Sequence, residues 1–137
     1  MKYYQAKAGK IKGTNFKEMV QKAKKFFTNI QSKSKRKPYL RSKYFNKSKV
    51  FLDYFWEHLF GKQNLRDRQR RVQFYEAALE LIENTNFAPQ SKENPNMRRE
   101  IMHRFYGVTK EKNPFIVQIK EDKRTNQKYF ISVFPED

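Results

Sequence analysis

The sequence predicts an α+β protein in which N-terminal helices pack on a small C-terminal antiparallel β-meander. Apolar residues recur at helical spacing between residues 15 and 84, whereas residues 96–135 hold three short runs with strand-like patterning. A chain of 137 residues is long enough for one domain with a substantial core. We therefore expect a basic N-terminal arm at residues 1–14, followed by a single domain over residues 15–137.

Three helices are predicted in the N-terminal half. The first begins at a capping box and runs from about residue 16 to residue 31. Helical spacing of apolar residues predicts a second helix over about 47–60 and a third over about 65–83. The segment 84–96 contains two prolines among polar residues, so it is predicted to be the loop that leads to the sheet half.

The C-terminal half is predicted to be a meander of strands near residues 102–106, 115–120 and 129–134. Alternation gives the second and third strands an apolar face. The residues of that face are Phe115, Val117, Ile119, Tyr129, Ile131 and Val133. The opposite face is predicted to be mixed, as nucleotide-binding surfaces often are. Its members are Ile116, Gln118, Lys120, Lys128, Phe130, Ser132 and Phe134.

Charge is the strongest compositional signal. The chain has 31 Lys and Arg against 14 Asp and Glu, a formal net charge of +17. Residues 1–49 hold sixteen of the basic residues and one acid, Glu18, so nearly all of the excess comes from this part of the chain. Proteins this basic are usually attracted to nucleic acids or anionic membrane surfaces.

Several protein classes are excluded or disfavoured by what the sequence lacks. Without cysteine it has no disulfide or cysteine-based zinc site, and with only two histidines a multi-histidine metal site is not expected. Residues 1–12 lack the apolar core of a signal peptide and no apolar run approaches membrane-spanning length, so we expect neither a signal peptide nor a membrane span. Glycine-rich phosphate loops and a Gly-x-Ser-x-Gly elbow are also missing. We expect a cytoplasmic protein without cofactor, metal or membrane partner.

Ten basic residues are candidates for nucleic-acid contact. Basic and aromatic residues interleave over residues 39–45, a pattern that suits single-stranded recognition and equally suits a core segment with its charges outward. Arginines crowd the first turns of the third predicted helix, where the helix dipole disfavours positive charge. Either phosphate contacts or ion pairs would explain their position. The candidates are Lys35, Arg36, Lys37, Arg41, Lys43, Arg68, Arg71, Lys123, Arg124 and Lys128.

A second set of polar residues could support RNA cleavage without a metal. In that reaction the 2′-hydroxyl attacks the adjacent phosphate. The site needs a base for that hydroxyl, an acid for the departing 5′-oxygen and a cation for the charge on the phosphoryl oxygens. The candidates around the meander are His103, Arg104, Lys120 and Ser132. Strict alternation puts His103 inward as a hydrogen-bonded core residue and Arg104 outward with Lys120 and Ser132. If His103 lay at the margin of the strand or beside a bulge, its side chain could instead point outward. The other histidine, His58, is predicted to be a surface or packing residue.

Residues 96–135 also resemble a known group of proteins. The segment His103-Arg104-Phe105 leads into 115–120 and closes on 129–135, which is similar to the barnase/EndoU/RelE-like small ribonucleases, particularly their phage and toxin branches. The resemblance implies that His103 or Arg104, together with Lys120 and Ser132, lines the active cleft. Residues 1–95 carry no such resemblance.

The sequence thus predicts a basic RNA-binding protein, with RNA favoured over DNA, and in its sharper form a toxin-type, metal-independent endoribonuclease. A non-catalytic nucleic-acid-binding or ribonucleoprotein accessory protein is one alternative. A protein-interaction factor whose basic surface binds an acidic partner is the other.

Overall fold

A computed structural model describes residues 2–137 of the chain. Within these residues, four helices are interleaved with seven strands along the sequence. The helices are α1 (Phe16–Gln31), α2 (Tyr54–Phe60), α3 (Leu65–Val72) and α4 (Tyr75–Asn84). The strands are β1 (Tyr4–Gln5), β2 (Tyr39–Ser42), β3 (Ser48–Phe51), β4 (Gln90–Asn94), β5 (Met97–Val108), β6 (Pro114–Asp122) and β7 (Lys128–Pro135).

The strands form one curled, mixed sheet in the order β1-β5-β6-β7-β3-β2, with β4 also paired to β5. The pairs β1 with β5 and β3 with β7 are parallel, and the others are antiparallel. The prediction of N-terminal helices packed on a small C-terminal antiparallel meander is therefore wrong. Helices and strands interleave, and the N-terminal half supplies both β2 and β3 at one edge of the sheet.

The second predicted helix fails because a tight turn intervenes. Asn46 and Lys47 adopt positive φ angles of 59° and 68°, a conformation that a helix cannot contain. The turn folds β3 back on β2, and Leu40 of β2 becomes the partner of Val50. Only the end of the predicted segment is helical, as α2.

The remaining boundaries differ less. Helix α1 matches its prediction, and the Asn15 side chain accepts a hydrogen bond from the Glu18 backbone N–H, as the capping box requires. The third predicted helix is divided into α3 and α4 by a break at residues 73–74. The predicted loop 84–96 contains β4, an exposed strand without apolar alternation that pairs with β5.

The N-terminal segment, predicted to be an arm, is integrated into the fold. Strand β1 pairs with the end of β5, and the side chains of Ala6 and Ile11 are buried. Glu80 of α4 accepts hydrogen bonds from the backbone N–H groups of Lys7 and Ala8 at 3.0 Å. These contacts attach the segment to the rest of the domain.

The helices and the inner face of the sheet enclose the core. Phe55 of α2 stacks on Phe130 of β7, with 4.9 Å between ring centroids. Gly107 of β5 lies under Leu81 of α4 and beside Phe115, so closely that a Cβ there would be 2.8 Å from each side chain. No helix within residues 2–137 has the length and apolar character needed to cross a membrane.

Candidate functional site

Three of the four predicted catalytic residues share the outer face of the sheet. Arg104 of β5 is the cross-strand partner of Gln118 of β6, and Gln118 is the partner of Ser132 of β7. Lys120 lies two residues from Gln118, so its side chain projects from the same face. We call this surface, which also carries Tyr129, the open face.

A β-bulge in β7 decides which side chains reach the open face. Gln118 pairs with Ser132, but Ile119 pairs with Phe130, so Ile131 is the extra residue. The strictly alternating face predicted for β7 is therefore wrong. Lys128 and Phe130 point into the core, where they are 4% and 0% exposed, and Tyr129 is on the open face.

A pocket of about 470 Å³ opens where α2 meets the open face. It contains the predicted residue Lys120 and also His58, which comes from α2. The side chains that line it are Tyr54, Glu57, His58, Met102, Lys120 and Ile131. Burial lowers the pKa of His58 below its usual 6.5, and the positive charges of Lys62 and Arg71 lower it further. A histidine with a lowered pKa is neutral at pH 7 and can accept a proton.

Two arginines converge on one aromatic ring of the open face, outside the lining of this pocket. The guanidinium carbons of Arg71 (α3) and Arg104 (β5) lie 5.3 and 5.7 Å from the centroid of Phe134. Phe134 follows Ser132 by two residues on the open face. Arg71 also pairs with Asp67 at 3.0 Å, whereas Arg104 forms no ion pair within the part of the chain that the structure describes. Arg104 is exposed and lines a neighbouring pocket of about 530 Å³.

Lys120 and Ser132 differ in their access to solvent. The Lys120 ammonium is 3.7 Å from a Glu100 carboxylate oxygen, and it lies 5.7 Å from the Tyr54 ring and 5.6 Å from the Tyr129 ring. Ser132 is only 4% exposed and lines neither pocket. Lys120 can therefore contact a ligand directly. Ser132 belongs to the open face but is covered by its neighbours.

His103 is on the inner face, as strand parity predicts, and both of its ring nitrogens are engaged. Its Nδ1 is 2.6 Å from Ser91 Oγ, and its Nε2 is 2.8 Å from Glu121 Oε1. A carboxylate oxygen accepts, so Nε2–H donates to Glu121, and the Ser91 hydroxyl is the hydrogen-bond partner of Nδ1. The ring is 7% exposed and packs 5.1 Å from Phe45. This environment keeps His103 away from the open face.

Five of the predicted nucleic-acid contacts lie in or near the β2–β3 edge of the sheet. Lys35, Arg36 and Lys37 line a groove of about 740 Å³. The other residues of this basic groove are Lys33, Ser34, Tyr39, Lys49, Phe51 and Gln127. Arg41 is exposed on β2, where it donates a 3.0 Å hydrogen bond to the Lys47 carbonyl, and Lys43 is exposed in the following turn.

The other predicted contacts are dispersed. The Arg68 guanidinium donates to the carbonyls of Phe60, the last residue of α2, and Lys62, so it stabilises the C-terminal end of that helix. Lys123 pairs with Glu93 at 2.7 Å, and Arg124 is exposed at the same hairpin. Lys128 is 5% exposed at its side chain and donates to the Asn126 carbonyl. Lys128 therefore cannot reach a surface phosphate in this fold.

Within residues 2–137, no three His, Asp or Glu side chains are grouped as metal ligands would be. No protein-family model matches the sequence, and no curated protein or solved structure matches it. His58, predicted from the sequence to be a surface or packing residue, lines one pocket together with Lys120. Its spacing in α2 is that of an ordinary helix residue, and only the packing of α2 against β7 brings it to Lys120.

Proposed function

We propose that the protein binds RNA and cleaves it without a metal ion, as an endoribonuclease whose site is the pocket beneath α2. The observation that carries the proposal is that a histidine with a lowered pKa and the cation Lys120 line one pocket. His58 and Lys120 line the same cavity, and Arg71 is close enough to His58 for its charge to act on that pKa. Perturbed titratable groups in a cleft are typical of catalytic sites.

The chemistry assigns each residue one task. Neutral His58 accepts the proton of a 2′-hydroxyl as its oxygen attacks the neighbouring phosphorus. Arg71 and Arg104 neutralise the charge that develops on the phosphoryl oxygens. The bond from phosphorus to the 5′-oxygen breaks, and the Lys120 ammonium supplies the proton to that oxygen. The products are a 2′,3′-cyclic phosphate and a free 5′-hydroxyl.

The basic N-terminal part of the chain supplies affinity for the phosphate backbone. Residues 1–49 hold sixteen Lys and Arg and one acid, and Lys35, Arg36 and Lys37 line one groove. Neutralising several phosphates releases counterions, so binding falls as salt rises. A cytoplasmic location, predicted from the sequence, fits such a substrate.

The test incubates the purified protein with end-labelled single-stranded RNA in EDTA. We expect products that end in a 2′,3′-cyclic phosphate. The substitution His58→Gln removes the base and should lower the rate by 100-fold or more, the order that general base catalysis contributes. Lys120→Ala combined with Ser132→Ala should lower it too, and Lys110→Ala, an exposed lysine near β1, is the matched control.

Each alternative predicts a different result. Tight binding of RNA with no cleavage by the wild-type protein would reject the nuclease and select a non-catalytic nucleic-acid-binding protein. Weak RNA binding together with a stoichiometric complex with an acidic protein would reject both in favour of a protein-interaction factor. Cleavage that His58→Gln leaves at the wild-type rate would show that the chemistry is elsewhere.

A further inference from the structure

We infer that the substrate is single-stranded RNA, whose bases stack on a row of aromatic rings leading from the basic groove to the His58 pocket. This inference rests on the proposed function and adds the form of the substrate and its path. The rings belong to Tyr39, Phe51, Tyr129 and Tyr54.

The sheet register puts three of these rings in one line. Tyr39 of β2 is the cross-strand partner of Phe51 of β3, and Phe51 is the partner of Tyr129 of β7. Their centroids are 6.3 and 6.0 Å apart. Tyr54, the first residue of α2, continues the line 5.0 Å from Tyr129. The line ends at Lys120, which pairs with Tyr129 across β6 and β7.

The row joins the two cavities that the proposed function uses. Tyr39 and Phe51 line the basic groove, and Tyr54 lines the pocket that holds His58 and Lys120. A strand that follows the rings from the groove therefore reaches the candidate base. The row is a path between the two sites and not an isolated patch.

The rings are not needed for the core. Within residues 2–137, none of the four belongs to the hydrophobic core or to the partly buried side chains packed on it. Tyr54 is 39% exposed, and the other three are half-buried. Neighbouring rings meet edge-on or tilted, at 70°, 35° and 86°. Partly exposed rings on a sheet are the platform on which single-stranded bases stack.

Cations flank the row without acidic partners. Lys49 Nζ lies 4.6 Å and the Arg41 guanidinium carbon 5.5 Å from the centroid of Tyr39. The groove contributes Lys33, Lys35, Arg36 and Lys37, and none of these six cations is within ion-pair distance of a carboxylate among the described residues. Rings for bases beside cations for phosphates are what a single strand requires. A duplex keeps its bases stacked inside and cannot present them to such rings.

The experiment measures anisotropy of fluorescein-labelled RNA on the full-length His58→Gln protein, so that cleavage does not interfere. A single strand and a hairpin duplex with the same number of phosphates are compared. We expect the single strand to bind at least tenfold more tightly. Phe51→Leu should weaken single-strand binding roughly tenfold, the order of one lost base stack, and should leave the salt slope unchanged because no charge is removed.

Phe87→Leu is the matched control, because Phe87 is an exposed ring outside the row. If Phe51→Leu lowers the melting temperature, Tyr54→Leu at the exposed end of the row replaces it. Tyr54→Leu should weaken single-strand binding to the same extent. Equal affinity for duplex and single strand, or binding unchanged by both ring substitutions, overturns the stacking path and leaves the proposed nuclease standing. Failure to bind either RNA overturns the proposed function itself.

Discussion

Tyr129 of β7 and Lys120 of β6 are cross-strand partners on the open face, with the Lys120 ammonium 5.6 Å from the centre of the Tyr129 ring. The pairing exists because Ile131 is the bulge residue of β7. A bulge changes the side to which the preceding residues point. Without it, Tyr129 would face the core and Lys128 would face solvent, and the aromatic row would be interrupted at its centre.

Lys128 is predicted to stabilise the fold and to take no part in RNA binding. Its ammonium donates to the Asn126 carbonyl and lies 3.8 Å from Glu121, with the side chain 5% exposed. Lys128→Met removes these contacts from a buried position, so we expect a loss of about 1–3 kcal/mol in the free energy of unfolding. Urea denaturation measures it. The RNA affinity should stay unchanged at temperatures where the variant is folded, and a lower salt slope would contradict this assignment.

The rate of RNA cleavage is predicted to fall as the solution is acidified through the pKa of His58. Partial burial and the charges of Lys62 and Arg71 lower that pKa below 6.5, so the neutral base predominates at pH 7. Protonation removes the base, and the acidic limb of the kcat/KM profile should have its midpoint below 6.5. Single-turnover rates between pH 4.5 and 8 check this, with Lys110→Ala as the control. A midpoint above 6.5 would exclude His58 as the base.

Lys35, Arg36 and Lys37 are predicted to carry part of the salt dependence of RNA binding. Changing all three to Gln removes three phosphate contacts, each of which contributes about 0.7 to the slope of log affinity against log salt. The triple variant should therefore bind with a slope about 2 units shallower. Lys7, Lys12 and Lys110 are exposed near the opposite edge of the sheet, and their triple Gln variant is charge-matched. Equal slopes for the two variants would show a diffuse charge effect without a defined groove.

The two histidines are predicted to have opposite roles. His103→Gln disturbs the buried contacts with Ser91 and Glu121, so it should lower the free energy of unfolding by about 1–3 kcal/mol while cleavage by the folded protein persists. His58→Gln alters a helix residue that is only partly desolvated and lies at the surface, so it should keep the stability and lose the cleavage. Melting curves and initial rates for both variants separate the roles. Loss of cleavage in a fully folded His103→Gln protein would contradict this assignment and show that His103 is needed for the reaction.

Local patterns in the sequence were sufficient for the elements that depend on local interactions. The capping box of Asn15 and Glu18 and the apolar spacing that follows predict α1 correctly. Alternating apolar residues predict the three strands of the meander, although β5 begins earlier than expected. Strand parity also puts His103 in the core, because a neutral histidine is less costly to bury than the neighbouring arginine.

Other elements depend on partners that are distant in sequence. Val50 and Phe51 fit a helix stripe as well as a strand, and only pairing with β2 and β7 makes that segment a strand. Strand β4 has no apolar alternation to reveal it, because it is held by backbone hydrogen bonds to β5.

By itself the sequence determined the charge, its concentration in residues 1–49, the first helix and the meander, because these follow from composition and from local periodicity. Tertiary structure alone decided the mixed sheet, the aromatic row and the position of His58 beside Lys120. The physical reason is that one bulge residue and the packing of α2 on β7 set which side chains meet. Neither leaves a periodic signal in the chain.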